Sequence, residues 1–213
     1  MDIASLDLNE RKIFRRLDTP AKVQDFLESI PINFEISGET CYSPRLVLRE
    51  KKAHCMEGAL FACAVFMMHG REPLLMHLRT LDHDEDHAVA LFREGKYWGA
   101  LSKTNHPVLR YRDAIYTTPR ELAMSYFHEY FDKHGEKTLR FYSRPFSLRK
   151  FGGGWVTSEE NLWRIDSAFS DSRHCQVLPK GVSRRNLRLA DKIEREASNT
   201  VAYLDKVGQR AQS

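Results

Sequence analysis

The sequence predicts an α+β domain, and three observations carry that expectation. A nearly all-apolar helix is expected over "AHCMEGALFACAVFMMHG", residues 53–70. Three short strand-like runs follow it, and two of them meet at Glu94-Gly95, a hairpin signal that makes them antiparallel neighbours. Further helical segments then flank one more strand. Helices, then an antiparallel meander, then a strand among helices is the order of an α+β fold.

Along the chain, "LDTPAKVQDFLESI" opens a helix with Thr19 as N-cap and Pro20 at its first position, and Val23, Phe26, Leu27 and Ile30 form one apolar stripe. "NFEISGETCYSP" reads as a loop, and "PRLVLREKKA" as a short helix or a covering segment. The apolar helix runs from about His54 to Gly70, where a C-terminal glycine belongs. "PLLMHLRT", "HAVALFRE" and "KYWGALSK" are the three strand candidates, with the acidic loop "LDHDED" between the first two. "TTPRELAMSYFHEYFDKHG" predicts a second long helix starting at Thr118-Pro119 and ending at Gly135. "TLRFYSRPFSL" reads as a strand, "FGGGW" as a flexible flap, and "TSEENLWRIDSAF" as a helix capped by Ser158. In the polar tail from about 183 to 212, Leu187, Ala190, Ile193, Ala197, Val201 and Leu204 are spaced for one helical face.

The 213 residues suit one domain, with or without an appendage. Apolar content of 42% and charged content of 29% are those of an ordinary soluble globular chain. A chain of this size buries about 70% of the surface its unfolded form exposes, so no disulfide or metal staple is required. A net charge of +4 permits anionic partners without demanding one. The first residues lack a signal-peptide core, and the longest apolar run, 59–68, is too short for a bilayer. The expectation is therefore a soluble, cytoplasmic protein with no membrane partner. Cys41, Cys55, Cys63 and Cys175 form no CxxC pair and no zinc-finger spacing, so free thiols are expected. Nothing in the sequence fixes an oligomeric state.

The chemistry concentrates at the start of the apolar helix, where His54, Cys55 and Glu57 share one turn. A thiol there meets the positive end of the helix dipole and unpaired backbone N–H groups, both of which favour thiolate. Those N–H groups also suit a developing oxyanion. A nucleophilic thiol needs a base and a group that orients the base. His87 opens a strand after an exposed loop, so it fits the base. The hairpin at Glu94-Gly95-Lys96 brings its partner near residues 102–104, which makes Ser102, Thr104 or Asn105 the orienting candidate. His54 either tunes the thiol or, as the plainer reading, caps the loop, and Glu57 reads as a local structural acceptor.

A helix bearing Cys55, a strand bearing His87 and an adjacent strand bearing the orienting residue resemble the core of the transglutaminase-like family within the papain-like cysteine-enzyme superfamily. The small residue two before the thiol (Ala53), the acid two after (Glu57) and the alanine four after (Ala59) are similar to the family pattern. So are "MMHGREPLLMHL" after the helix and Trp98 after the histidine strand. The likeness covers about residues 42–106. It implies a papain-like core of about 20–150, with a Cys helix packed on an antiparallel sheet, and a C-terminal helical extension of about 155–213. It implies thiol catalysis on an amide or ester carbonyl of a peptide, protein or small amide substrate, with no metal and no organic cofactor. The chain departs at the family's acid: four residues after Trp98 stands Ser102. Register favours Ser102 as the partner of His87, and hydrogen-bonding chemistry favours Asn105. The rival expectation is a catalytically inactive binding module on the same fold.

Three other motifs yield to plainer readings. "HDEDH", 83–87, holds metal-ligand types without a second ligand pair of fixed spacing. "FGGGW" lacks the lysine and hydroxyl of a phosphate loop. The basic tail is interrupted by Asp191, Glu194 and Glu196 and carries no stacking aromatics, which argues against a nucleic-acid partner.

Overall fold

A computed structural model describes residues 6–204. Four helices come first: α1 (Leu8–Arg16), α2 (Pro20–Ser29), α3 (Pro44–Glu50) and α4 (Cys55–Met68). Strands β1 (Leu74–Arg79), β2 (His87–Glu94), β3 (Tyr97–Leu101) and β4 (Arg112–Tyr116) follow, then α5 (Pro119–Met124), β5 (Phe141–Ser143) and β6 (Phe146–Ser147). Helix α6 (Trp163–Ser170), β7 (His174–Gln176) and α7 (Lys192–Ser198) close the described chain. The seven strands make one antiparallel sheet in the order β4-β3-β2-β1-β5-β7, with β6 beside β5 on the same edge of β1. The α+β class follows directly. Among the described residues, no helix is long and apolar enough to cross a membrane.

Helix α4 is the spine because nearly every side chain on it is apolar and buried, from Met56 to Phe66. Phe61 stacks on Phe26 of α2 at 4.9 Å and meets the edge of Phe14 of α1 at 5.3 Å. Fully burying one such side chain is worth roughly 1.5–3 kcal/mol, so this helix dominates the core. Its far end turns at Gly70, whose φ of +72° is the left-handed conformation that glycine tolerates. Alternation along β2 divides the sheet. Ala88, Ala90 and Phe92 join the core under α4, while Val89 and Leu91 join a second core with α5, Tyr126 and Tyr130. His87 shares the parity of Val89 and Leu91, at the very start of β2.

Several expectations need correction. Helix α1 has a capping box, Asp7 with Glu10, that the sequence reading passed over. Strands β4 and β7 were also not expected; both are short, and β4 alternates with little apolar contrast. The long helix expected to Gly135 ends at Met124. From there, bonds of i→i−3 type tighten the chain, so that Tyr126, Phe127 and Tyr130 all enter the second core. The strand expected over 138–148 is broken between β5 and β6 by Pro145, which has no N–H for the ladder. Ser158 does not cap α6. Its hydroxyl bonds Glu160, and Asn161 and Leu162 bond the backbone of Cys41, which delays the helix to Trp163. "FGGGW" is no flap over the cleft: Trp155 is buried in the main core and donates to Gly152 O at 3.1 Å. Among the described residues of the tail only Lys192–Ser198 is α-helical, and Ile193 of the expected face is exposed; residues 205–212 of the expected tail lie outside the described residues.

Candidate active site

Helix α4 begins at Cys55, and His54 is its N-cap. Nδ1 of His54 accepts from Met56 N–H at 3.2 Å, and the Glu57 carboxylate accepts from His54 N–H at 2.9 Å. Glu57 is fully buried, and Asn33, Thr40 and the Tyr42 N–H also donate to it. One buried carboxylate therefore ties the 33–42 loop to the start of the helix, and each of its hydrogen bonds offsets part of its desolvation. The local structural role expected of Glu57 understates this reach.

Cys55 is half-buried, and the imidazoles of His54 and His87 both act on its thiol. Burial alone would push its pKa up. The hydrogen bonds and charges of the two imidazoles outweigh burial and hold the thiol well below its ordinary range. His54 moves the other way. Burial opposes its charge, but the thiol, Glu57 and the Thr40 carbonyl raise its pKa to about 10.

His87 is buried, and its Nε2 is hydrogen-bonded with Ser102 Oγ. Strands β2 and β3 pair Ala90 with Leu101. Carried past the end of β3, that register sets Ser102 diagonal to His87 on the same face. A glycine makes room for this: a Cβ on Gly58 of α4 would lie 2.5 Å from Lys103 Cβ, so the chain at 102–103 packs directly on the cysteine helix. The backbone of Ser102 is clamped by Gln24 of α2, whose Oε1 accepts from Ser102 N–H at 3.0 Å and whose Nε2 donates to Ser102 O at 2.9 Å. Lys103 donates to the carbonyls of Leu27 and Ile30 at the end of α2, and burial brings its pKa down to about 8.

Asn105 is not part of this assembly. Its carboxamide donates to Tyr203 O and accepts from Tyr203 N–H, both at 2.9 Å. With His106 on Ser198 O and Tyr203 OH on Glu28 O, it fastens the C-terminal segment beside Ser102. The structure thus brings Cys55, His87 and Ser102 together and sets Asn105 to another task.

The thiol opens on a cavity of about 810 Å³. Glu35 and the acids Asp84, Glu85 and Asp86 line it, Tyr130 closes one side, and α7 supplies Lys192 and Arg195. Two non-glycine residues with left-handed backbone, Glu35 (φ 52°) and Leu109 (φ 59°), line the same cavity. Such strain gathers where a site dictates the backbone. The "HDEDH" residues diverge: His83 turns to Asp132, Asp86 to His77, and His87 to Ser102. His83, Asp132 and Glu136 do bring ligand atoms within 4.8 Å of one another. Arg140 and Arg184 already pair with Glu136, however, so this donor set is an ion-pair cluster rather than a ready cation site.

Sequence reading missed Gln24 and Lys103. Gln24 sits beside an apolar stripe and reads as a surface polar residue, and its contact with Ser102 spans 78 positions. Nothing local signals it. The chain matches no protein-family model and no curated protein.

Proposed function

We propose that the chain is a cysteine-dependent hydrolase or acyltransferase of the transglutaminase-like, papain-like type, acting on an amide or ester carbonyl. The observation that carries this reading is a thiol at a helix N-terminus sharing one cavity with a histidine, His87, that is itself bonded to Ser102; the lowered pKa of the thiol agrees with it. Cys55 thiolate attacks the carbonyl carbon, forming a C–S bond. His87, holding the thiol's proton, gives it to the leaving nitrogen or oxygen as that bond breaks. The Cys55 backbone N–H, at the head of the first helical turn, receives the oxyanion. Water or an amine then attacks the thioester, the C–S bond breaks, and the thiol is restored.

Ser102 is a neutral partner. A hydroxyl both donates and accepts, so it fixes the His87 tautomer less firmly than a carboxylate does. That feature favours the second reading, an inactive binding module. Incubation with p-nitrophenyl acetate separates the two. The enzyme reading expects a burst of one nitrophenolate per chain, an acetyl group on Cys55 by mass spectrometry, and slow turnover, all lost in Cys55→Ser. A native chain that never carries acetyl on Cys55 contradicts it.

A further inference from the structure

We propose that the cavity rim at Asn105 and His106 is a peptide-binding subsite, that it takes a peptide carrying a tyrosine, and that the chain's own segment 198–203 fills it in this structure. That the peptide is the acyl substrate rests on the reading of Cys55 as the nucleophile; that it binds does not.

The segment is held by polar contacts rather than by packing. Ala190 is buried, and its N–H donates to Gly135 O at 2.8 Å. From 191 to 204 no residue is buried. Yet Lys192, Arg195, Ser198 and Asn199 line the cavity that Cys55 and His87 also line. A wall with no buried apolar anchor opens locally at low cost.

Its hold is that of a bound peptide. Asn105 O accepts from Ala202 N–H, Asn105 Oδ1 accepts from Tyr203 N–H, and Asn105 Nδ2 donates to Tyr203 O, each at 2.9 Å. His106 Nδ1 donates to Ser198 O, also at 2.9 Å. All four bonds go to backbone atoms of the segment. A carboxamide offers a donor and an acceptor side by side, so Asn105 grips the N–H and C=O of one residue without reading its side chain. Main-chain bonds of this kind give a peptide affinity, and side-chain contacts give selectivity.

Two contacts supply that selectivity. The Lys103 ammonium stands over the Tyr203 ring, 5.1 Å from its centroid, and Tyr203 OH donates to Glu28 O at 2.7 Å. Lys103 is fixed by the carbonyls of Leu27 and Ile30, so the cation is a built part of the rim. A tyrosine meets a cation on its face and an acceptor at its hydroxyl; an aliphatic side chain meets neither. Ser102, the partner of His87, directly precedes Lys103, so the subsite and the support of the imidazole share one stretch of chain. The tethered segment acts at an effective concentration of about millimolar, and a free peptide of similar fit must displace it.

The experiment measures binding of fluorescein-labelled SNTVAYL, the sequence of residues 198–204, by anisotropy to the full chain. Wild type is compared with Tyr203→Pro, which removes the segment's N–H, ring and hydroxyl together, and with Ala202→Pro, which removes one N–H. The proposal expects Tyr203→Pro to bind the peptide about tenfold or more tighter than wild type, with Ala202→Pro between them. It expects SNTVAAL to bind Tyr203→Pro about tenfold more weakly than SNTVAYL. Adding Asn105→Leu to Tyr203→Pro should abolish binding. Equal binding, or none, in wild type and both proline variants with wild-type melting overturns the proposal. So does binding that survives Asn105→Leu. If Tyr203→Pro does not fold, Ala202→Pro carries the same comparisons. Failure here beside acetylation of Cys55 by p-nitrophenyl acetate leaves the nucleophile reading intact. Peptide binding by a chain that never takes the acetyl group supports the subsite and overturns the enzyme reading.

Discussion

Cys55 and Cys63 stand on one helix, about two turns apart, and their surroundings drive them in opposite directions. Cys63 is fully buried in the apolar spine. Burial alone raises its pKa, and its thiol donates to Leu74 O at 3.5 Å. Cys55 also pays a burial penalty, but it lies at the helix N-terminus between two imidazoles, and its pKa falls. The difference teaches that the helix as a whole does not set a thiol's pKa. The first turn, with the imidazoles of His54 and His87 acting on the sulfur, does.

The largest effect comes from making Cys55 resemble Cys63. His87→Ala removes the proton carrier and one of the two imidazoles that lower the thiol pKa. Acyl transfer from p-nitrophenyl acetate should fall about a hundredfold or more, and alkylation at neutral pH about tenfold, both read by stopped-flow or mass spectrometry. Ser102→Asp sharpens the contrast. A carboxylate against His87 favours the imidazolium, so the acid limb of Cys55 alkylation should move to lower pH, by about one unit. Unchanged alkylation in this variant would mean that Ser102 does not orient His87.

Gly58→Ala tests the packing that brings the two halves of the site together. The added methyl meets Lys103 Cβ, and overpacking of about 1–3 kcal/mol outweighs the gain in helix propensity of about 1 kcal/mol. A lower melting temperature and slower alkylation are expected together. Cys63→Ala gives the smallest effect. It should cost about 1 kcal/mol through a small cavity and leave the pH profile of Cys55 unchanged.

Much of the candidate site was legible because it rests on local rules. A thiol at an apolar helix start and a histidine one hairpin away from a hydroxyl can be counted along the chain. The choice between Ser102 and Asn105 could not be counted, since it depends on Tyr203, nearly a hundred residues on, which claims the Asn105 carboxamide. His54 was read as a cap, and it is one; its second set of partners, Glu35 and the Thr40 carbonyl, comes from a loop whose fold no local pattern announces. Of the fold, helices with a cap, a stripe and a glycine stop were readable. The short helix α5 was overestimated because three aromatic side chains gain more from the second core than from continuing a helix. Strands β4 and β7, of five and three residues, owe their existence to neighbours already in the sheet.

The central claim is that Cys55 is a thiolate at neutral pH because of where it stands on its helix. The most direct measurement is site-resolved alkylation of the wild-type chain by iodoacetamide across pH, with Cys55 and Cys63 followed separately by peptide mass spectrometry. Because the Cys55 pKa is lowered, its thiolate persists to lower pH than that of an ordinary cysteine and is lost as pH falls through that lowered value. The account predicts a rate for Cys55 that is flat through neutrality and drops in acid, while Cys63 stays unlabelled until the chain unfolds. A Cys55 rate that climbs only toward alkaline pH, or that tracks Cys63, would contradict it.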